Sequence, residues 1–378
     1  MRMRTRMAVV PLVMAMLGGV GAGHAQKAPI LIGAAPNLTG FQAALGKAQL
    51  AGLEMAVDQI NKEDGIRGHE LKISSTDAAN SPTDALNAYN KLVDAGARVV
   101  MGPILGGQVD ALIDAATKTK VPLFTGSTST ALPQGSPFVF RWMPNDSFTK
   151  KAWVKFAKEQ LNASRIGLLH VSATYGKSGE RFTVQAAKEL GVTLVGVESY
   201  APTDKDMSVQ LRKLRDAGAE AILVQGFAPD QTLVLQFANR LGITKPIVIS
   251  MSTMTSGAFD LVKPEDIANH FSEAASAPQF SQPPETAKFA AEFQRRTGYK
   301  PDHISFGQYA AAMLAFSAMR EAGPNATGDA LAAAIRKARF TGQGYDLEAD
   351  TQGVLAHSVL FLEFGPSKTP KKTYSVKE

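Results

Sequence analysis

A strand–loop–helix unit of about 30 residues recurs along this chain, the spacing proper to βαβ architecture. Residues 29–33 read as a short apolar strand, followed by the glycine-bearing loop Pro36-Asn37-Leu38-Thr39-Gly40. Residues 46–61 then place Leu53, Ala56, Val57 and Ile60 on one helical face at i, i+3, i+4 and i+7. The unit repeats with strands at 70–74, 98–102 and 121–124 and helices at 82–95 and 108–117. A strand at 138–142 and a helix cap at Asn145-Asp146-Ser147 follow. It then runs again, with strands at 166–171, 192–199, 221–225 and 247–251 and helices at 179–190, 206–217 and 230–241. Such alternation predicts an α/β fold whose parallel sheets are covered on both faces.

Beyond Phe280 the texture changes. Helical periodicity covers 286–296, 304–321 and 328–339, and residues 353–364 alternate apolar and polar like an edge strand. The basic stretch Ser367-Lys368-Thr369-Pro370-Lys371-Lys372 reads as a solvated, frayed end. With 378 residues, the chain is long enough for two or three domains. Two α/β halves predict two lobes, with ligand-binding loops at the carboxyl ends of their strands.

The net charge of +6 invites a nucleic-acid reading. Its location argues otherwise. Arg2, Arg4 and Arg6 precede an apolar stretch from Met7 to Val20, and Gly23-His24-Ala25 ends in small residues. That pattern predicts a secretory signal peptide cleaved after Ala25. Residues 26–378 then carry 37 basic and 34 acidic side chains, a net +3 that gives no case for nucleic acid. The absence of cysteine excludes disulfides, thiolate metal sites and a cysteine nucleophile. It also removes the usual site of lipid anchoring.

Catalytic and nucleotide motifs fail one by one. The stretch from Gly40 to Gly46-Lys47-Ala48 has five residues between its glycines and lacks the Ser/Thr of a phosphate loop. Gly176-Lys177-Ser178 has the right ending, but Val171 stands where the first glycine belongs. There is no G-x-S-x-G elbow. No two of the six histidines are spaced H-x-x-x-H. His170 ends a predicted strand and reads as a buried, hydrogen-bonded residue, and His303 precedes a helix and reads as its cap. No cofactor and no metal are expected. What remains is the loop Thr125-Gly126-Ser127-Thr128-Ser129-Thr130, whose hydroxyls and backbone N–H groups suit a carboxylate. Near it in the pattern, Leu105-Gly106-Gly107 would let a ligand approach backbone at a helix start.

These residues sit in a recognisable frame. Ile32-Gly33, Pro36-Asn37-Leu38-Thr39-Gly40, Gly46, Gly52-Leu53-Glu54-Met55-Ala56-Val57, Ile60-Asn61, Gly65-Ile66-Arg67-Gly68, Asp77 and Gly102-Pro103 together resemble the periplasmic Leu/Ile/Val-binding protein family. The likeness continues through Tyr175-Gly176, Asp206-Met207, Leu211, Leu214 and Gly226-Phe227. It implies two Rossmann-like lobes joined by a three-crossing hinge: 26–144 with 276–352 as lobe I, and 145–275 with 353–378 as lobe II. It also implies a periplasmic solute-binding protein of an ABC importer, not an enzyme. Such a protein acts as a monomer that closes on a small ligand and delivers it to an inner-membrane permease.

The resemblance implies binding residues one at a time. Ser127, Thr128 and Ser129 stand where the family holds the ligand's carboxylate and ammonium. Gly106 replaces a serine, leaving only backbone to contribute. Tyr175 matches a cleft tyrosine and Phe227 takes the place of another. Leu45 replaces a large aromatic, enlarging the side-chain pocket, and Met251 adds an apolar wall. The family's ammonium-binding acid falls near Ser250-Met251-Ser252, yet residues 247–256 contain no Asp or Glu. A buried ammonium without a carboxylate costs several kcal/mol. The expected ligand is therefore an aromatic or aliphatic carboxylic acid ahead of a branched-chain amino acid. A ligand-presenting sensor subunit and a secreted enzyme on the same scaffold are the alternative readings.

Overall fold

A computed structural model describes residues 27–129, 136–255, 257–280, 284–341 and 345–378. The expected signal peptide and Thr130 lie outside the described residues. The first sheet contains β1 (Ile30–Ala34), β2 (Leu71–Ser75), β3 (Val99–Met101), β4 (Leu123–Thr125) and β5 (Val139–Arg141) in the order β2-β1-β3-β4-β5. All its pairings are parallel. Strands β3, β4 and β5 are buried along their whole length, so they read as continuous apolar runs and not as alternations.

The second sheet contains β6 (Arg165–Val171), β7 (Thr193–Tyr200), β8 (Ala221–Gln225), β9 (Ile247–Ile249) and β10 (Phe271–Ala274). A short hairpin of β11 (Arg339–Phe340) and β12 (Leu347–Glu348) intervenes. Then β13 (Ser358–Phe364) and β14 (Pro370–Lys377) complete the second sheet in the order β14-β13-β10-β9-β8-β6-β7. Side-chain alternation divides its two faces. Ile222 and Val224 of β8 join one apolar cluster, while Ala221 and Leu223 join the other.

The chain passes between the sheets three times: after β5, after β10 and before β13. The first and third passages are bound side by side. The Arg141 N–H donates to the Gly353 carbonyl at 2.8 Å, and the Leu355 N–H donates to the Arg141 carbonyl at 2.7 Å. Between the second and third passages, helices Pro284–Thr297, His303–Ala322 and Gly328–Lys337 return to the first sheet's core. Helix His303–Ala322 packs along Ala43–Lys62, the helix whose apolar face the sequence shows most clearly. Their approach requires glycine. A Cβ on Gly52 would sit 2.1 Å from the Ser305 carbonyl oxygen.

Three expectations are corrected. Strand β13 is internal and not an edge, because β14 pairs antiparallel along its outer side. The basic tail is therefore not frayed. Tyr374 meets Phe156 edge-on at 5.1 Å, and Phe156 stacks on Phe361 at 4.3 Å, which docks β14 against the core. Its exposed Lys371, Lys372 and Lys377 suit an edge strand, where charge discourages further pairing. Strand β10 carries no periodic signal because Ser272 and Glu273 are as buried as its apolar residues. The helix expected from residue 179 begins at Thr174, which brings Tyr175 into its first turn.

Among the described residues, no helix is long and apolar enough to cross a membrane. Gly52→Ala tests the helix contact. The added methyl must separate the two helices, and we expect a loss of about 1–3 kcal/mol in unfolding free energy by denaturant titration.

Candidate functional site

The carboxyl ends of β3 and β4 in the first sheet and of β6, β8 and β9 in the second open onto one cavity of about 70 Å³. Leu45, Gly106, Thr128, Ser129, Tyr175, Phe227 and Met251 line it together. Ser127 is not among the lining residues. It is buried, and its N–H donates to Thr125 Oγ1 at 3.0 Å.

The hydroxyl-rich loop is held from below. Thr125 Oγ1 donates to the Pro103 carbonyl at 2.8 Å, fixing the loop after β4 against the loop after β3. The Thr128 carbonyl accepts from the Asp146 N–H at 3.0 Å, which ties the same loop to the start of helix Asp146–Gln160. Asn145 caps that helix by accepting from the Phe148 N–H at 2.8 Å, as its sequence pattern predicts. Ser129 faces the start of helix Gly106–Thr119. A Cβ on Gly106 would lie 2.3 Å from Ser129 Oγ, so a larger residue there would push the Ser129 hydroxyl from its place. No side chain of Leu105 caps this helix. Hydroxyls and a positive helix end thus converge on one wall.

The opposite wall belongs to the second sheet. Gln231 pins two of its loops, donating to the Gly226 carbonyl at 3.0 Å and accepting from the Ser250 N–H at 2.6 Å. Phe227 begins the next helix and stacks on Tyr175 with centroids 5.7 Å apart. It also meets Phe41 edge-on at 5.4 Å. Phe41 belongs to the one-turn helix Gly40–Gln42 that follows β1, so this aromatic series spans from one lobe to the other. Burial pushes the Tyr175 phenol far above its ordinary range, and nearby Glu273 and Asp146 push it further. Its hydroxyl, set against the Ser250 and Ser252 hydroxyls, stays neutral.

The wall carries no Asp, Glu, Lys or Arg among the described residues. Behind the wall, the buried carboxylate of Glu273 is already engaged. Its Oε2 lies 3.2 Å from Lys150 Nζ, and both side chains are almost completely buried. The ammonium sits 3.4 Å from the centroid of the Trp153 ring. Burial raises the Glu273 carboxyl and lowers the Lys150 ammonium, and their mutual attraction opposes both shifts. No group of three or more metal-ligating side chains occurs among the described residues.

Sequence reasoning missed part of the wall. Gln42, Ile104, Met143, Ser252, Thr255, His303 and Ile304 also line the cavity. Ser252 and Thr255 follow β9, so the strand-end rule could have found them. His303 is not a cap. Asp302 caps the helix by accepting from Ile304 and Ser305 N–H groups, and His303 is the first helical residue, turned to the cavity. His170 matches its reading. It is buried, with Nδ1 3.1 Å from the Val171 carbonyl and Nε2 3.3 Å from Glu180.

A family model described as a periplasmic binding protein matches residues 29–364. The Leu/Ile/Val-binding protein homolog 3 of Brucella melitensis is 31% identical over 212 residues, 55% of this chain. The matched stretch spans 57% of that relative's own length. The solved structure of the substrate-binding protein LivJ from Streptococcus pneumoniae, in complex with isoleucine, superposes with a TM-score of 0.80 at 22% identity. It covers 93% of this chain and 100% of its own. A fatty acid ABC transporter substrate-binding protein from Thermomonospora curvata superposes with a TM-score of 0.79 at 21% identity, covering 92% and 91%.

The buried pair behind the wall makes a prediction. Lys150→Met strands Glu273 in the interior and should cost about 3–5 kcal/mol of unfolding free energy. Adding Glu273→Leu should restore much of it. A double-mutant cycle in denaturant measures the coupling, and additive losses would contradict the pairing.

Proposed function

This chain belongs to the periplasmic binding protein family, and we propose that it is the solute receptor of an ABC importer that captures a small carboxylate-bearing molecule between its lobes. The observation that carries this reading is the division of the cavity wall. On one side, Thr128, Ser129 and the helix start at Gly106 offer hydroxyls and backbone dipole without charge. Elsewhere Leu45, Ile104, Phe227, Met251 and Ile304 supply apolar surface. Such a site binds an anionic head by hydrogen bonds and buries an apolar body.

The ligand is an aromatic or aliphatic carboxylic acid in preference to a branched-chain amino acid. An α-ammonium buried here would meet no carboxylate on the wall, at a cost of several kcal/mol. The name of the Brucella relative supports the branched-chain alternative. The name of the Thermomonospora neighbour supports a simple acid.

Binding and closure are one event in this account. Thr128 and Ser129 come from the first lobe and Tyr175, Phe227 and Met251 from the loops of the second, so only the closed state lets the ligand touch both. We place the lobe boundaries at 144/145, 275/276 and 352/353, within the three passages. The basic, apolar N-terminal pattern supports export to the periplasm, where a monomeric receptor meets its inner-membrane permease. Calorimetry against benzoate, phenylacetate, 4-methylpentanoate, leucine and isoleucine tests the ligand class. An acid should bind at least about tenfold more tightly than leucine, and tight leucine binding would overturn the assignment. Gly106→Val, which drives a side chain onto Ser129 Oγ, should abolish binding of whichever acid binds.

A further inference from the structure

Phe41 is 62% exposed, the one aromatic ring among the exposed large hydrophobic side chains of the described residues. It joins neither the buried core of its lobe nor the partly buried fringe packed on that core. It is also absent from the cavity lining, although Gln42 and Leu45, which follow it, both line the cavity. The ring contact it does make crosses the cleft. It meets Phe227 of the second lobe edge-on, with centroids 5.4 Å apart. Phe227 in turn lines the cavity and stacks on Tyr175.

The loop that leads to this ring is stiff. Asp77 accepts from the Leu38 N–H and from Thr39 Oγ1, both at 2.7 Å, and from the Ala79 N–H at 2.8 Å. Asn80 donates to the Thr39 carbonyl at 3.2 Å. Asn37 Nδ2 donates to Gln108 Oε1 at 2.7 Å, which anchors the loop to helix Gly106–Thr119. Gly40 turns the chain at a φ of 76°, in the left-handed region, and a Cβ there would strike the Asn80 amide. All these partners belong to the first lobe, so the place of Phe41 is set before the lobes meet.

A ring that stays mostly in water contributes little to the folding of its own lobe. Its pairing with Phe227 exists only when the two lobes are together, so the free energy of that pair falls on the closed state alone. Resting on the closure reading above, the geometry points to Phe41 as a latch, which holds the lobes together through Phe227 and slows escape of the ligand without lining its cavity. A latch of this kind lengthens residence by one factor for every ligand that closes the lobes. The choice among ligands stays with the cavity wall.

Stopped-flow and calorimetric titrations with benzoate, phenylacetate, 4-methylpentanoate, leucine and isoleucine test this. Phe41→Ala should raise the dissociation rate about three- to tenfold and change the association rate less than about twofold, by the same factors for each probe that binds. Phe41→Tyr, which keeps the ring, should stay close to the wild type. In a Phe227→Leu background, Phe41→Ala should have almost no further effect, because the partner ring is gone. The ligand-free melting temperature should stay within about 2 °C of the wild type, and a larger drop would assign the ring to its own lobe's stability and overturn the latch. An unchanged dissociation rate in Phe41→Ala, a full effect in the Phe227→Leu background, or a factor that differs among probes would each overturn it as well. Small-angle scattering separates these outcomes from the closure reading. If the wild type compacts with a bound probe, they strike the latch alone. If it binds a probe without compacting, or binds none of the five, the closure reading falls and the latch falls with it.

Discussion

Parallel pairing is the constraint on which the rest depends. Strands that run the same way deliver all their carboxyl ends to one edge, and each must be followed by a loop there before a helix carries the chain back. From β1 to β5 and again from β6 to β10, this rule brings short polar loops to a single edge of each sheet. The three passages set those edges face to face around the cavity. Strands β13 and β14 run antiparallel outside β10, so they widen the second sheet without adding a loop to the cavity wall.

Charge is then kept off the wall and placed behind it. Glu273 and Lys150 satisfy each other in the interior, with the Trp153 ring against the ammonium. A buried pair of this kind contributes little net stability over an apolar core, because desolvation offsets much of its attraction. Its position suggests geometry as its use. Lys150 lies in the helix that follows the first passage, and Glu273 lies in the strand that precedes the second. Their contact therefore joins the two passages just beneath Tyr175 and Met251. The wall in front can remain neutral and read hydrogen bonds instead of charge.

Much of this was legible in the chain. Leu53, Ala56, Val57 and Ile60 announce their helix because one face is buried and the other is wet. Residues 221–224 announce β8 because an entirely apolar run has little else to form. The loop at 125–129 and Gly106 stood out by composition, and they do meet. The rest was hidden for physical reasons. Strand β10 is buried on both faces but half of its side chains are polar, so no hydropathy pattern marks it. In β14, Tyr374 and Val376 pack on the cluster that holds Phe156 and Phe361, and Tyr374 meets the ring of Phe156, more than two hundred positions away, which no local pattern records. His303 looks like a cap in sequence, and only the packing of its helix beside the loop after β9 makes it part of the wall.

The central claim is that both lobes hold one ligand, so that binding and closure coincide. The absence of cysteine makes the direct test simple. Lys47→Cys and Lys177→Cys place single thiols on exposed positions at opposite sides of the cleft. Spin labels on the pair report the distance between lobes by pulsed dipolar spectroscopy. An acid that binds by calorimetry should convert a broad or longer distribution into one short, narrow distance, and the Gly106→Val change should prevent it. An unchanged distribution at saturating ligand would contradict the account.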